Sequence, residues 1–197
     1  MAVTADINLK IKAATAQEVC SGFTLSADAR PHLKPEMPPL DFVQVLVAHD
    51  IYSDAVQFLA RALPKREAVW WSCVCARDLS ADAKRPELAD GLQAAEAWVY
   101  RPTEENRRHA EKAGQAIKGS HPARWTAMAA FWSGGSLAPP GAPEAKPPED
   151  FTAKAVAGAI LLAAGLDPKE TDARNKRFLA AGIDIAKGGT GRSPAKT

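Results

Sequence analysis

The most unusual local sequence is a pair of glycines between two serines, Ser133-Gly134-Gly135-Ser136, directly after Phe131-Trp132. Successive backbone N–H groups in such a loop can form a concave nest that holds an anion. Glycine after a helix is also the ordinary way to end that helix, and anions bind preferentially at helix N-termini. The loop matches neither a P-loop nor a nucleophile elbow. We therefore favour a structural role for this turn, with an anion site as the alternative.

The histidine and cysteine residues form no pattern that predicts a metal site or a nucleophile. No two histidines have the i, i+4 spacing of a helical metal site (His32, His49, His109 and His121). Cys73 and Cys75 lie two residues apart on a predicted apolar helix, where side chains diverge, so neither a disulfide nor zinc coordination is expected. With Cys20 they make an odd number of thiols, which we interpret as free and mainly buried. We expect no catalytic residue, no metal, no cofactor and a reducing, cytoplasmic location.

A basic cluster, Asn106-Arg107-Arg108-His109, falls in the first turns of a predicted helix. It could bind an acidic partner, but Glu104 and Glu105 lie beside it. A solvated face of paired charges is therefore the interpretation we favour. The formal net charge of +2, from 25 basic and 23 acidic residues, gives no attraction to nucleic acid or to an anionic membrane.

Tryptophan provides the strongest indication of a binding surface. Trp70 and Trp71 are adjacent in 64–79, a predicted helix that is apolar nearly all the way round and that we place at the centre of the fold. Neighbouring side chains on a helix point about 100° apart, so both rings cannot face one neighbour. One of them is a candidate to reach a groove or a partner surface, because tryptophan is favoured in interface hot spots.

The elements that must position these residues are predicted to be helical. Apolar residues recur at helical spacing in eight stretches, 40–49, 52–63, 64–79, 86–100, 103–117, 122–132, 151–164 and 168–181, and a short helix is predicted at 15–23. Alternation of apolar and polar residues predicts a short strand at 7–14. The most apolar stretch, 155–166, is too short to span a bilayer and predicts a core helix.

These features together predict an all-α fold, with about seven or eight helices packed as antiparallel hairpins in a single domain. We expect an N-terminal extension and loop at 1–37, a helical domain at 38–187 and a disordered tail at 188–197. Within the domain, 133–150 contains five prolines and three glycines and predicts an irregular connector on the surface.

Three stretches also carry a resemblance to a known family: AVWWSCVCARDL, AAEAWVYRPTEENRRHA and AAFWSGGSLAPPGAPEAKPP. They resemble an uncharacterised bacterial family of unknown function over about residues 38–187. The resemblance implies an all-helical domain and an association with gene neighbourhoods of the type VI secretion apparatus. It implies no activity.

The sequence leaves three functions open. The first is a non-enzymatic adaptor or scaffold that binds another protein, as an accessory of a bacterial secretion system. The second is a ligand-binding protein or enzyme with a pocket at Trp132, Ser133, Ser136 and His109. The third is an immunity or effector-loading protein. The oligomeric state is left open, and the candidate binding residues are Trp70, Trp71, Asn106, Arg107, His109, Trp132, Ser133, Gly134, Gly135 and Ser136.

Overall fold

The computed structural model describes residues 9–79, 85–139 and 141–192, and this part of the chain contains nine α-helices, one short 3-10 helix at Arg30–His32 and no strand. The predicted all-α class is therefore confirmed. The helices are α1 Ala16–Cys20, α2 Pro39–Ala48, α3 Tyr52–Ala62, α4 Lys65–Arg77, α5 Pro86–Tyr100, α6 Glu104–Ala116, α7 Pro122–Phe131, α8 Phe151–Ala164 and α9 Thr171–Ala186.

The strand predicted at 7–14 is wrong for residues 9–14, which are irregular, while residues 7 and 8 lie outside the described residues. Its backbone meets the end of a helix instead of another strand. The Lys10 N–H donates to the Ala186 carbonyl at 2.8 Å, at the C-terminal end of α9. No partner strand lies beside this segment within the described residues, so its backbone pairs with a free carbonyl at the C-terminal end of α9.

Proline and capping residues set most helix boundaries as the sequence predicts. Pro86 and Pro122 stand in the first turn of α5 and α7, and the Thr103 hydroxyl accepts a hydrogen bond from the Asn106 N–H at the start of α6. The last helix differs from its prediction. The Asp167 carboxylate accepts from the Lys169 N–H and so closes a separate turn, and α9 begins only at Thr171 and continues to Ala186.

Helix α4 lies at the centre and contacts α5, α7, α8 and α9. The Trp71 side chain on this helix is completely buried, and its indole N–H donates to the Phe178 carbonyl of α9 at 2.7 Å. Its ring lies directly against Gly182, where an added Cβ would approach Trp71 Cε2 to 2.6 Å. The absence of a side chain at Gly182 therefore allows the indole to reach the backbone of α9.

The proline-rich connector closes on itself at the surface. The Leu137 N–H donates to the Ala145 carbonyl at 2.7 Å. The Ser136 hydroxyl accepts from the Ala145 N–H at 3.0 Å and from the Ala138 N–H at 3.1 Å. These hydrogen bonds satisfy backbone N–H and C=O groups that have no helical partner, and they hold the irregular connector in a defined position.

Both ends of the described chain pack on the helices. In 9–37, Ala16, Leu25 and Ala29 are buried in the main hydrophobic core. The disordered tail predicted from Gly188 is wrong for 188–192, which form a defined turn after α9, while 193–197 lie outside the described residues. No helix within the described residues is both long and apolar enough to cross a membrane.

The three thiols differ in exposure, which predicts their order of modification. Cys73 and Cys75 are buried, and burial is the main cause that raises the pKa of both thiols far above the ordinary value. Cys20 is half-buried, and burial raises its pKa to about 11. Because the thiolate reacts with maleimides, we expect Cys20 to be labelled first and slowly at neutral pH. Mass spectrometry should find Cys73 and Cys75 labelled only after unfolding in urea; rapid labelling of either in the native protein would contradict this core.

The contact between Trp71 and Gly182 predicts opposite effects for two glycine-to-alanine changes. In Gly182→Ala, the new methyl group would overlap two buried side chains, Trp71 and Leu59, and overpacking costs about 1–3 kcal/mol. At Gly158 in α8 an added Cβ meets nothing within 4 Å, so Gly158→Ala should gain about 1 kcal/mol from helix propensity. Urea unfolding of both variants checks the difference, and an equal midpoint would show that Gly182 is not a close-packed position.

Candidate functional site

An open groove lies where the ends of α5 and α9 meet the first turns of α4. Its volume is 420 Å³, and its aromatic and charged lining residues are Lys10, Arg66, Glu67, Trp70, Tyr100 and Arg192. We call it the Trp70 groove. It combines two aromatic rings with four charged side chains, which no single stretch of the sequence brings together.

The two adjacent tryptophans diverge as the helix geometry requires. Trp71 points into the core, whereas Trp70 is only half-buried and lines the groove. The Trp70 indole N–H donates to the Thr190 carbonyl at 2.8 Å, which fixes the ring orientation. The structure therefore places one of the two rings at a surface depression, with its polar atom already paired.

Tyr100 forms the exposed edge of the groove. It is the last residue of α5, its side chain is 68% exposed, and its ring centroid lies 6.0 Å from that of Trp70 in an edge-to-face arrangement. The Arg66 Nε donates to the Val99 carbonyl at 2.6 Å and so ties this end of α5 to α4. A single exposed aromatic ring is common at protein surfaces, but here the Tyr100 and Trp70 rings are in contact and form one aromatic patch. The sequence analysis did not select Tyr100; its place at the end of a helix before Arg101-Pro102 was the available signal.

The turn after α9 forms the opposite wall. Gly188 and Gly191 adopt positive φ angles of 88° and 70°, which glycine reaches without strain. The Gly189 N–H donates to the Asp184 carbonyl, and the Gly191 N–H donates to the Asp184 carboxylate at 2.8 Å. The turn thereby brings Arg192 over the indole, with its guanidinium carbon 4.9 Å from the Trp70 ring centroid. The sequence analysis missed this wall because it interpreted the glycines as a disordered tail.

The SGGS turn is the second region that the sequence singled out, and a buried arginine holds it. The Arg107 guanidinium pairs with both carboxylate oxygens of Glu104 at 2.6 Å, and it also donates to two carbonyls, of Phe131 at 2.8 Å and of Ser136 at 2.9 Å. Gly135 has a φ of 63°, and an added Cβ there would lie 2.9 Å from the Arg107 guanidinium. The turn therefore presents carbonyl oxygens to a cation, which is the reverse of an anion nest.

Arg108 reinforces the same arrangement from the next position of α6. It pairs with Glu104 and Glu111, each at 3.0 Å, and donates to the Ser136 carbonyl at 2.8 Å and the Ala138 carbonyl at 2.5 Å. Hydrogen bonds from Arg107 and then Arg108 lower the pKa of Glu104 below its ordinary range, although burial opposes this. The basic cluster is thus paired internally and anchors the connector.

The remaining residues of the cluster lie apart from each other. The Asn106 side-chain amide donates to the Ala97 and Arg101 carbonyls, at 3.2 Å and 2.8 Å, and so caps the end of α5. His109 is exposed two residues beyond Arg107, which places it about 200° further round α6 and away from the turn.

Trp132 packs between two aromatic residues, with ring centroids 6.2 Å from Trp125 and 5.3 Å from Phe151. The Ser133 hydroxyl donates to the Ala130 carbonyl at 2.7 Å, and the Ser136 hydroxyl accepts a hydrogen bond from the Ala138 N–H in the connector. Gly134 and Gly135 continue the turn after α7. The structure therefore brings Arg107, Trp132 and the SGGS turn together as a packing unit, and it leaves His109 outside it.

The histidines His32 and His49 also meet, with ring centroids 4.1 Å apart. Within the described residues, no group of three His, Cys, Asp or Glu side chains is placed to hold a metal ion.

A family model for a family of unknown function, DUF6931, matches residues 42–186, which is more than half of the chain. The chain belongs to DUF6931. No curated protein and no solved structure matches it. The DUF6931 match includes both aromatic residues of the Trp70 groove, Trp70 and Tyr100, and the packing unit around Arg107. It does not include Lys10 or the turn at 188–192, which complete the groove.

The hydrogen bonds of Arg107 predict a large effect for a charge-conserving change. A lysine cannot form the forked pair with Glu104 and also reach two carbonyls, so buried acceptors would lose their partners. Arg107→Lys should lower the free energy of unfolding by about 2 kcal/mol. The control is Arg101→Lys at an exposed position, which should change it by less than about 0.5 kcal/mol. Equal urea midpoints for the two variants would contradict the role of Arg107.

Proposed function

We propose that this protein is a non-enzymatic interaction module that binds a segment of another protein in the Trp70 groove. The observation that carries the proposal is the pair formed by Tyr100, 68% exposed, and the half-buried Trp70. Aromatic side chains held rigidly at a surface provide large contact area at low entropic cost, and they are enriched among residues that dominate binding energy.

The shape of the groove supports a polypeptide in preference to a small molecule. Sites for small molecules bury most of the ligand surface, typically about 70–90%. The Trp70 groove is built from helix ends and a turn, and its outer aromatic residue, Tyr100, stands mainly in water. A longer chain that crosses the rim would cover Tyr100, whereas a small molecule would leave much of this ring hydrated.

The state of the nucleophilic groups supports a non-enzymatic role. The Cys73 and Cys75 thiols are buried and their pKa values are raised, so they are poor nucleophiles. The two serine hydroxyls of the SGGS turn, Ser133 and Ser136, are bonded to the backbone near them. These features also weaken the alternative of an enzyme or ligand pocket at that turn.

The biological setting that we propose is a bacterial secretion system, in which the module would serve as a cytoplasmic accessory. This part of the proposal depends on the resemblance to proteins from type VI secretion gene neighbourhoods. Immunity and effector loading are two roles in that setting that would use the same kind of groove. The neighbouring genes in the encoding genome distinguish them, since an immunity gene stands beside its toxin gene.

The proposed function is tested by capture from the organism that encodes the chain. Full-length bait is compared with Tyr100→Ala and with the control Leu166→Ala, which truncates another exposed apolar side chain, 49% exposed, outside the groove. We expect quantitative mass spectrometry to find a protein retained by the bait and by the control, and reduced at least about tenfold with Tyr100→Ala. Equal recovery with Tyr100→Ala, or no specific protein, would overturn the proposal.

A further inference from the structure

We propose that the segment bound in the Trp70 groove is acidic: an extended peptide with an apolar or aromatic residue flanked by aspartate or glutamate. This inference rests on the proposed function and specifies the chemistry of the partner. It is based on the charged side chains at the rim of the groove and on the exposed ring of Tyr100.

The rim is positively charged although the whole chain is nearly neutral. Three bases line the groove, Lys10, Arg66 and Arg192, against one acid, Glu67. Asp184 in the adjacent turn accepts a hydrogen bond from the Gly191 N–H and keeps its charge, but it does not line the groove. With 25 bases and 23 acids overall, such a local excess comes from placement rather than composition.

The bases of the groove differ from many others in the described chain. Several arginines elsewhere are paired with carboxylates, for example Arg77 with Glu96 at 2.9 Å and Arg177 with Asp78 at 2.5 Å. In the groove, Arg66 is bound through Nε to the Val99 carbonyl, and Arg192 is stacked on Trp70. Neither contact neutralises the charge. Each positions a guanidinium whose two terminal nitrogens can still bind a carboxylate in forked geometry.

Arg192 lies where it could bind a carboxylate of the peptide beside the aromatic rings that would contact the peptide's apolar residue. Its guanidinium carbon lies over the Trp70 ring, 4.9 Å from the ring centroid, and this cation–π contact pairs the charge with no carboxylate. A carboxylate bound there would be adjacent to the exposed Tyr100 ring, which an apolar side chain would cover. Opposite charge would raise the association rate and reject basic segments, while the aromatic contact would supply most of the affinity.

The same charges argue against two other occupants. A second copy of this chain bound through the same face would bring two surfaces of equal net positive charge together, three bases and one acid on each, which is repulsive in a two-fold interface. A nucleic acid would need basic residues that continue along a strand, and the near balance of charge over the chain does not provide them.

The inference is tested with a random dodecapeptide library displayed on phage and selected on the full-length protein. We expect the enriched peptides to carry net negative charge around an apolar or aromatic residue. A selected peptide should bind the double variant K10E/R192E at least about tenfold more weakly, since two attractive contacts become repulsive. The control K34E/K112E makes the same change in net charge at exposed lysines outside the groove and should bind as wild type.

The arms of this experiment separate the two proposals, after circular dichroism has shown that each variant is folded. Peptides that lose binding to Tyr100→Ala but are neutral or basic would overturn the acidic inference and leave the groove as a binding site. Acidic peptides that bind Tyr100→Ala as wild type would overturn the site as well. Three further outcomes would each overturn the inference. The first is an equal loss of peptide binding in K10E/R192E and K34E/K112E, and the second is no enrichment of any peptide. The third is displacement of the peptide by a single-stranded oligonucleotide at a lower concentration than by free acidic peptide.

Discussion

The structure depends on one tryptophan that must be completely dehydrated and still have its N–H paired. Trp71 meets this requirement by donating to the Phe178 carbonyl of α9, and Gly182 one turn later leaves the space for the ring. An unpaired indole N–H in the core would cost the desolvation of a polar group, so this bond and the missing side chain at Gly182 help to fix the position of α9 relative to α4. Because Trp70 is the next residue on the same helix, fixing Trp71 also determines where the second ring reaches the surface.

A second constraint concerns the carbonyl groups at helix C-termini, which have no partner within their own helix. Here side chains from neighbouring helices satisfy several of them. Asn106 and Arg66 bind carbonyls at the end of α5, and Arg107 binds the carbonyl of Phe131 at the end of α7. These bonds hold Tyr100 and the SGGS turn in defined positions. A sequence such as Asn106-Arg107-Arg108 can thus look like a binding motif while its polar atoms are used to join helix ends.

The all-α class and most helix boundaries could be predicted from the sequence because they depend on local signals. Pro86 and Pro122 start helices, Thr103 caps α6, and apolar spacing identifies 151–164. The divergence of Trp70 and Trp71 follows from helix geometry alone. The groove itself could not be predicted, because its walls come from distant parts of the chain: Lys10, Tyr100 and Arg192 meet only through tertiary packing. The turn at 188–192 was missed for a different reason: its composition suggested disorder, whereas the Asp184 carboxylate, seven residues before Gly191, orders it locally.

The proposed binding groove is only partly contained in the family match. Its two aromatic residues, Trp70 and Tyr100, lie within the residues that match DUF6931, whereas Lys10 and Arg192 lie outside the match. Apolar contacts supply affinity that depends little on the partner, and rim charges determine which partners are rejected. In the proposed module, a substitution at Lys10 or Arg192 would alter the charge of the rim without touching the buried Trp71 side chain, so specificity would change while the core packing is kept.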